Sequence, residues 1–240
     1  MVSSIIYARK HEKWCHISWL FLFAITMAYM EATIVIYLRE LYYPDNLLAL
    51  FPLKLMTSTH FAIELGRESA AMLMIISVAM LVERGFTRCF AVYCYVMGVW
   101  DLFYYIWLKL LIDWPTAWLE WDVLFLIPWI WLGPWICPAV IALLFVGWGL
   151  FVIRRDSTDS PIRFSRWNGV LFVLGATCGL ASFLQPALPY LNNPVLLEGY
   201  MPGQFNWSLY VAGTLLMAGG LPWKKRGSVS IRCGYRDGRS

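Results

Sequence analysis

At 240 residues the chain is 60% hydrophobic, 17% aromatic and only 14% charged, with a formal net charge of +4. An ordinary soluble domain carries roughly a quarter charged residues, so too little polar surface is available here to cover a water-soluble globule. No segment gathers the positive charge into a basic face of its own, so no nucleic-acid partner is expected. What remains is an all-α, polytopic integral membrane protein, a single transmembrane helical bundle.

The N-terminal stretch MVSSIIYARKHEKWCH precedes the apolar run ISWLFLFAITMAY, which continues past Glu31 to Leu38 without a small-residue cleavage site. An uncleaved first span therefore fits better than a removed signal peptide. Six apolar segments follow one another: Ile17–Leu38, Thr59–Val82, Cys89–Leu111, Trp135–Ile153, Trp167–Gln185 and Trp207–Trp223. Each approaches the roughly 20 residues that a helix needs to cross about 30 Å of hydrocarbon. Helices are required because backbone groups in lipid must pair within their own segment. Residues 1–16 then form an N-tail, 17–223 one six-helix transmembrane domain and 224–240 a basic C-tail.

The run DVLFLIPWIWLGPWICPAVIALLFVGWGLFVIR, Asp122 to Arg154, is interrupted by Pro128, Pro134 and Pro138. It is too long for one straight span and too short for two, and proline breaks or kinks a helix. Val123–Leu132 reads as a short helix lying in the outer interface or re-entrant, before span four; one long kinked helix is the alternative. Gly175 with Gly179, and Ser208 with Ala212, put small residues four apart in the last two spans, which allows close helix contact in lipid. None of the six cysteines falls in an extracytoplasmic loop on this layout, and no Cys/His metal spacing occurs, so neither disulfides nor a metal are expected.

Basic residues collect in alternate connections: Arg9, Lys10 and Lys13; Arg84 and Arg88; Arg154, Arg155, Arg163 and Arg166; and six more in the C-tail from Lys224 to Arg239. The other connections hold only Arg39, Lys54 and Lys109. The positive-inside bias then predicts a plasma (cell inner) membrane protein with both termini cytoplasmic and an even number of spans.

Ionisable residues within the spans are costly in hydrocarbon and so point to a site. On a helix, residues four apart lie about 40° from each other, so His60, Glu64 and Glu68 form one stripe with Arg67 beside it. Asp101, Tyr105 and Lys109 form a second, with Tyr104 adjacent, and the first span contributes Glu31. Given alternating directions, Glu31, the His60–Glu68 stripe and Asp101 share the outer half of three neighbouring spans. Glu31, Glu64, Glu68 and Asp101 are the candidate acid–base groups, intramembrane carboxylates of a catalytic kind; Arg67, His60 and Tyr105 are the candidate substrate-binding groups. The structural reading of the same residues is an ion-pair cluster of Glu64, Arg67 and Glu68, a solvated interfacial His60, a Lys109 that snorkels, and solvated loop acids at Asp113, Glu120 and Asp122.

Three functions compete for this pattern. The first is a membrane-embedded enzyme acting on a lipid-like or quinone-like substrate reached from the bilayer. The second is a proton-coupled carrier, for which no inverted repeat and no inner polar path are visible. The third is a non-catalytic subunit held among partner membrane subunits. Convergence of the charges at one depth on one side favours the enzyme; the cofactor, if any, is not specified.

Overall fold

The computed structural model describes residues 2–155, 162 and 164–223, with only the backbone for residues 2–13. It is mostly helical, at 69%, and five of its helices are long and apolar enough to cross a membrane. These are α1 (Val2–Tyr42), α2 (Ser58–Val82), α3 (Phe86–Ile112), α4 (Ile136–Arg155) and α5 (Arg166–Leu184). A shorter α6 (Trp207–Gly220) completes the set. The expected first span lies inside α1, whose candidate crossing portion is Trp14–Tyr42. The basic C-tail and the side chains of Arg9, Lys10 and Lys13 lie outside the described residues.

Local chemistry fixes the helix ends. The Thr57 side chain accepts the His60 N–H at 3.3 Å to start α2. Ser165 and Asn168 form a reciprocal capping box at the start of α5, and the Asn206 side chain accepts the Leu209 N–H at 3.1 Å to start α6; each satisfies donors that a helix start leaves free. α3 ends at Asp113, which takes a left-handed conformation at φ 59°, and Pro115 follows.

α3 is the central helix. It packs against α1, α2 and α4, and buries Ala91, Val92, Val96, Val99 and Leu108. α5 and α6 form a tightly apposed pair. A Cβ on Gly213 would lie 2.6 Å from the Gly179 amide nitrogen and 2.9 Å from the Gly175 carbonyl, so the backbones meet where the expected Gly175/Gly179 pair lies. On α6, however, Ser208 and Ala212 are exposed; the small face that meets α5 is Gly213 and Gly220. Outward-facing Leu73, Met80, Val173 and Leu215 are each more than 60% exposed, as expected of side chains that meet lipid.

Two expectations change. Val123–Leu132 is not a helix: Trp121–Phe125 (β1) and Trp131–Pro134 (β2) pair as an antiparallel hairpin. Aromatic and β-branched residues favour extended backbone, and Pro128 and Pro134 deny the segment the donors of a continuous helix. The second concerns the sixth segment. At 14 residues, α6 rises about 21 Å, short of the roughly 30 Å hydrocarbon thickness.

The connections at one end of the bundle form a cap. Leu53 N–H donates to the Tyr200 carbonyl at 2.9 Å, Gly199 N–H to the Leu53 carbonyl at 2.8 Å, and Leu55 N–H to the Glu198 carboxylate at 2.7 Å. Leu53, Leu132, Ala187 and Leu197 share one apolar cluster, which joins the α1–α2 connection, the hairpin and the α5–α6 connection. The cap sits over the C-terminal end of α1 and α3 and the N-terminal end of α2 and α4.

Candidate functional site

Beneath the cap lies a cavity of about 710 Å³. α1 contributes Glu31, Val35, Arg39 and Tyr42; α2 contributes Glu64, Arg67, Glu68 and Met72; α3 contributes Trp100, Asp101, Tyr104 and Tyr105. β1, β2 and the residues between them add Asp122, Leu126, Trp129 and Trp131, and α4 and α5 close the apolar wall with Ile141 and Phe183. Each helix presents residues four apart, so the spacing of the sequence becomes one face turned inward.

Arg67 is the hub of the deeper polar centre. Its Nη1 pairs with Glu31 Oε2 of the neighbouring helix, and its Nε donates to Glu64 Oε2 at 2.6 Å. One guanidinium therefore serves two carboxylates. Glu68 is held differently: both its oxygens accept the Leu126 N–H, at 3.1 and 3.0 Å. This bond ties α2 to the hairpin and satisfies a buried amide that the hairpin leaves unpaired. Asp101 has no hydrogen-bond or ion-pair partner among the described residues. The charges bearing most on it are those of Asp122 and Glu31, both acids.

A second polar centre sits higher. Arg39 follows Glu31 by eight residues on the same stripe, about 12 Å further along the helix. Its side chain is 2% exposed, stacks on the Trp114 ring at 4.1 Å and approaches Asp122 Oδ1 at 3.6 Å. Its Nη1 donates to the Leu47 carbonyl at 3.4 Å. Among the described residues, Arg39 Nε and Nη2, Asp122 Oδ2 and the Trp100 indole nitrogen have no hydrogen-bond partner, which is unusual for buried polar atoms. Tyr105 lies against the Asp122 carboxylate and packs on Trp135, ring centres 5.3 Å apart. Burial drives the Asp122 carboxyl up to about 6, against the pull of Arg39.

Of the residues singled out from sequence, Glu31, Glu64, Arg67, Glu68, Asp101 and Tyr105 all line this cavity. His60 does not line it: its Nδ1 pairs with the Tyr42 hydroxyl at 2.6 Å, at the base of the α1–α2 connection. Lys109 stays half-exposed and pairs with Asp113 at 2.7 Å. Two loop acids differ from expectation. Asp122 is buried, and Glu120 accepts Trp114 Nε1 at 2.9 Å and the Thr116 and Ala117 amides at 2.5 and 3.1 Å, which organises the turn before β1. Sequence reasoning missed Arg39 and Asp122 because it assigned both to solvated connections. The available signals were the i, i+4, i+8 stripe Glu31–Val35–Arg39 and the apolar run that begins immediately after Asp122.

No group of three or more His, Cys, Asp or Glu side chains among the described residues is placed to hold a metal ion. The five cysteines described are free thiols. No protein-family model, curated protein or solved structure matches the chain.

Proposed function

We propose that this is a membrane-embedded enzyme that draws a lipid-like or quinone-like molecule into the cavity and acts on it by general acid–base chemistry, with Asp101 as the reacting group. The observation that carries the reading is a carboxylate without a partner among the described residues, in a largely apolar and aromatic chamber of about 710 Å³, a volume and lining suited to an amphiphile. Of the other carboxylates, Arg67 holds Glu31 and Glu64, Leu126 holds Glu68, and Asp122 faces Arg39 at 3.6 Å. They shape and fix the chamber, while Asp101 remains free to exchange a proton. Tyr104 and Tyr105, flanking it one turn on, orient what enters.

In this reading the protein resides in the plasma membrane with both termini cytoplasmic and the cap on the opposite side, in keeping with the skewed distribution of Arg and Lys. The sixth crossing is made by α6 together with Leu221 and Pro222, which are buried, the Pro222 carbonyl accepting the Trp148 indole at 3.2 Å.

The test compares the membrane lipids of cells overproducing the wild-type chain with those producing Asp101→Asn, and identifies small molecules carried by the purified wild-type protein. One amphiphile should fall and a related one rise with the wild type alone, and the purified protein should carry one of the two. Unchanged lipids together with stoichiometric co-purifying subunits would replace this reading with an assembly role; proton-driven uptake in liposomes without conversion would replace it with a carrier.

A further inference from the structure

We infer that the cavity is built for an amphiphile with a cationic head, an amine or alkylammonium, for which Asp101 is the counter-ion; this rests on the reading of the cavity as an amphiphile site and narrows the chemical class of its occupant. Charge in the chamber is unevenly distributed. Glu31, Glu64, Glu68, Asp101 and Asp122 line the interior against two enclosed cations, Arg39 and Arg67; Lys54 lies at the rim, exposed, with its ammonium 5.2 Å from the centre of the Tyr43 ring.

Neither guanidinium carries an unmatched charge, although Arg39 Nε and Nη2 have no hydrogen-bond partner among the described residues. Arg67 is spent on two carboxylates. Arg39 is stacked on Trp114 and balanced by Asp122. An anionic head entering past the exposed Lys54 would meet more carboxylates than cations and no enclosed guanidinium without a carboxylate partner, which disfavours it and removes the role of anion holder from Arg67.

The unpartnered carboxylates point to a cation. Asp101 has no partner among the described residues, and its strongest charged neighbours are acids. Independently, Asp122 Oδ2 is an unpartnered carboxylate oxygen on a side chain only 3% exposed, in the wall of the same cavity. A cation between these two carboxylates would answer both. The surrounding Trp100, Tyr104, Tyr105 and Trp129 supply aromatic faces, which attract alkylammonium groups through their ring quadrupoles, and Met72, Ile141 and Phe145 offer apolar surface for a tail.

Three probes with one tail length decide the matter: dodecylamine, which is protonated at neutral pH, dodecanol and dodecanoate. Each is titrated calorimetrically into the purified full chain in amphipol, free of detergent. Dodecylamine should bind at least tenfold more tightly than dodecanol, and dodecanoate more weakly than either. Asp101→Asn should reduce the amine's advantage over dodecanol about tenfold. Dodecanoate matching or exceeding the amine, dodecanol equalling it, or an unchanged ratio in Asp101→Asn would each overturn the inference while leaving the amphiphile site standing. Failure of all three probes to bind would remove the site and the inference together. Should Asp101→Asn not fold, the ranking of the three probes on the wild-type chain decides alone: the amine first upholds the cationic head, and any other order overturns it.

Discussion

Arg67 serves two carboxylates with one guanidinium, so its removal strands both. Arg67→Ala should cost about 3 kcal/mol or more, because breaking a buried pair leaves uncompensated charge. Lys109→Ala, which loses an exposed pair with Asp113 and exposed hydrogen bonds to the Asp113 and Pro115 carbonyls, should cost about 1 kcal/mol or less; thermal unfolding of the two purified variants makes the comparison. Trp100→Phe has the opposite sign. The indole N–H is buried without a partner among the described residues, so deleting it should leave the melting temperature unchanged or raise it, by up to about 1 kcal/mol in stability. Asp122 adds a pH dependence. Burial lifts its carboxyl from 3.8 to about 6, so the folded chain holds a proton that the unfolded chain has already released. Stability from this group is greatest below pH 3.8 and declines by about 3 kcal/mol as pH rises through about 6. Melting temperatures from pH 4 to 8 should fall in the wild type and fall less steeply in Asp122→Asn.

Among the elements, the hairpin is tied to the helices through one amide. With Glu68→Ala, the Leu126 N–H loses both acceptor oxygens that it has among the described residues, and residues 121–134 should exchange amide hydrogens at least tenfold faster while α3 and α4 keep their protection; unchanged exchange in the hairpin would show that the bond does not anchor it. The α5–α6 pair depends on close backbone approach at Gly213, so Gly213→Val should separate the two helices and lower the melting temperature, whereas Ser208→Val, on the exposed face, should not. Helix positions were legible from sequence because an unbroken apolar run of span length admits few alternatives in lipid. The hairpin was not: periodicity cannot separate a short apolar strand from a short buried helix, and the residues that decide it are contacts from α2 and the cap. Likewise the stripes of Glu31, Glu68 and Asp101 could be placed at one depth from spacing alone. That Glu68 bonds a distant amide while Asp101 bonds none of the described residues depends on three-dimensional packing.

At the scale of the whole molecule, the cap and the basic connections lie at opposite ends of the helices. On the proposed orientation, a cysteine placed at the exposed cap residue Asn192 in a cysteine-free background should react with a membrane-impermeant maleimide in intact cells, and one at Arg84 should react only after lysis; the reverse pattern would invert the protein. The stitching of Leu53 and Leu55 to Glu198, Gly199 and Tyr200 joins points separated by 143 residues of chain in the Leu55–Glu198 case. During synthesis the acids of the first three helices are therefore in the bilayer long before the last connection arrives to roof them over. The chamber is finished by the final third of the polypeptide, so a chain released early would present its carboxylates with an open lid and be an obvious target for membrane quality control.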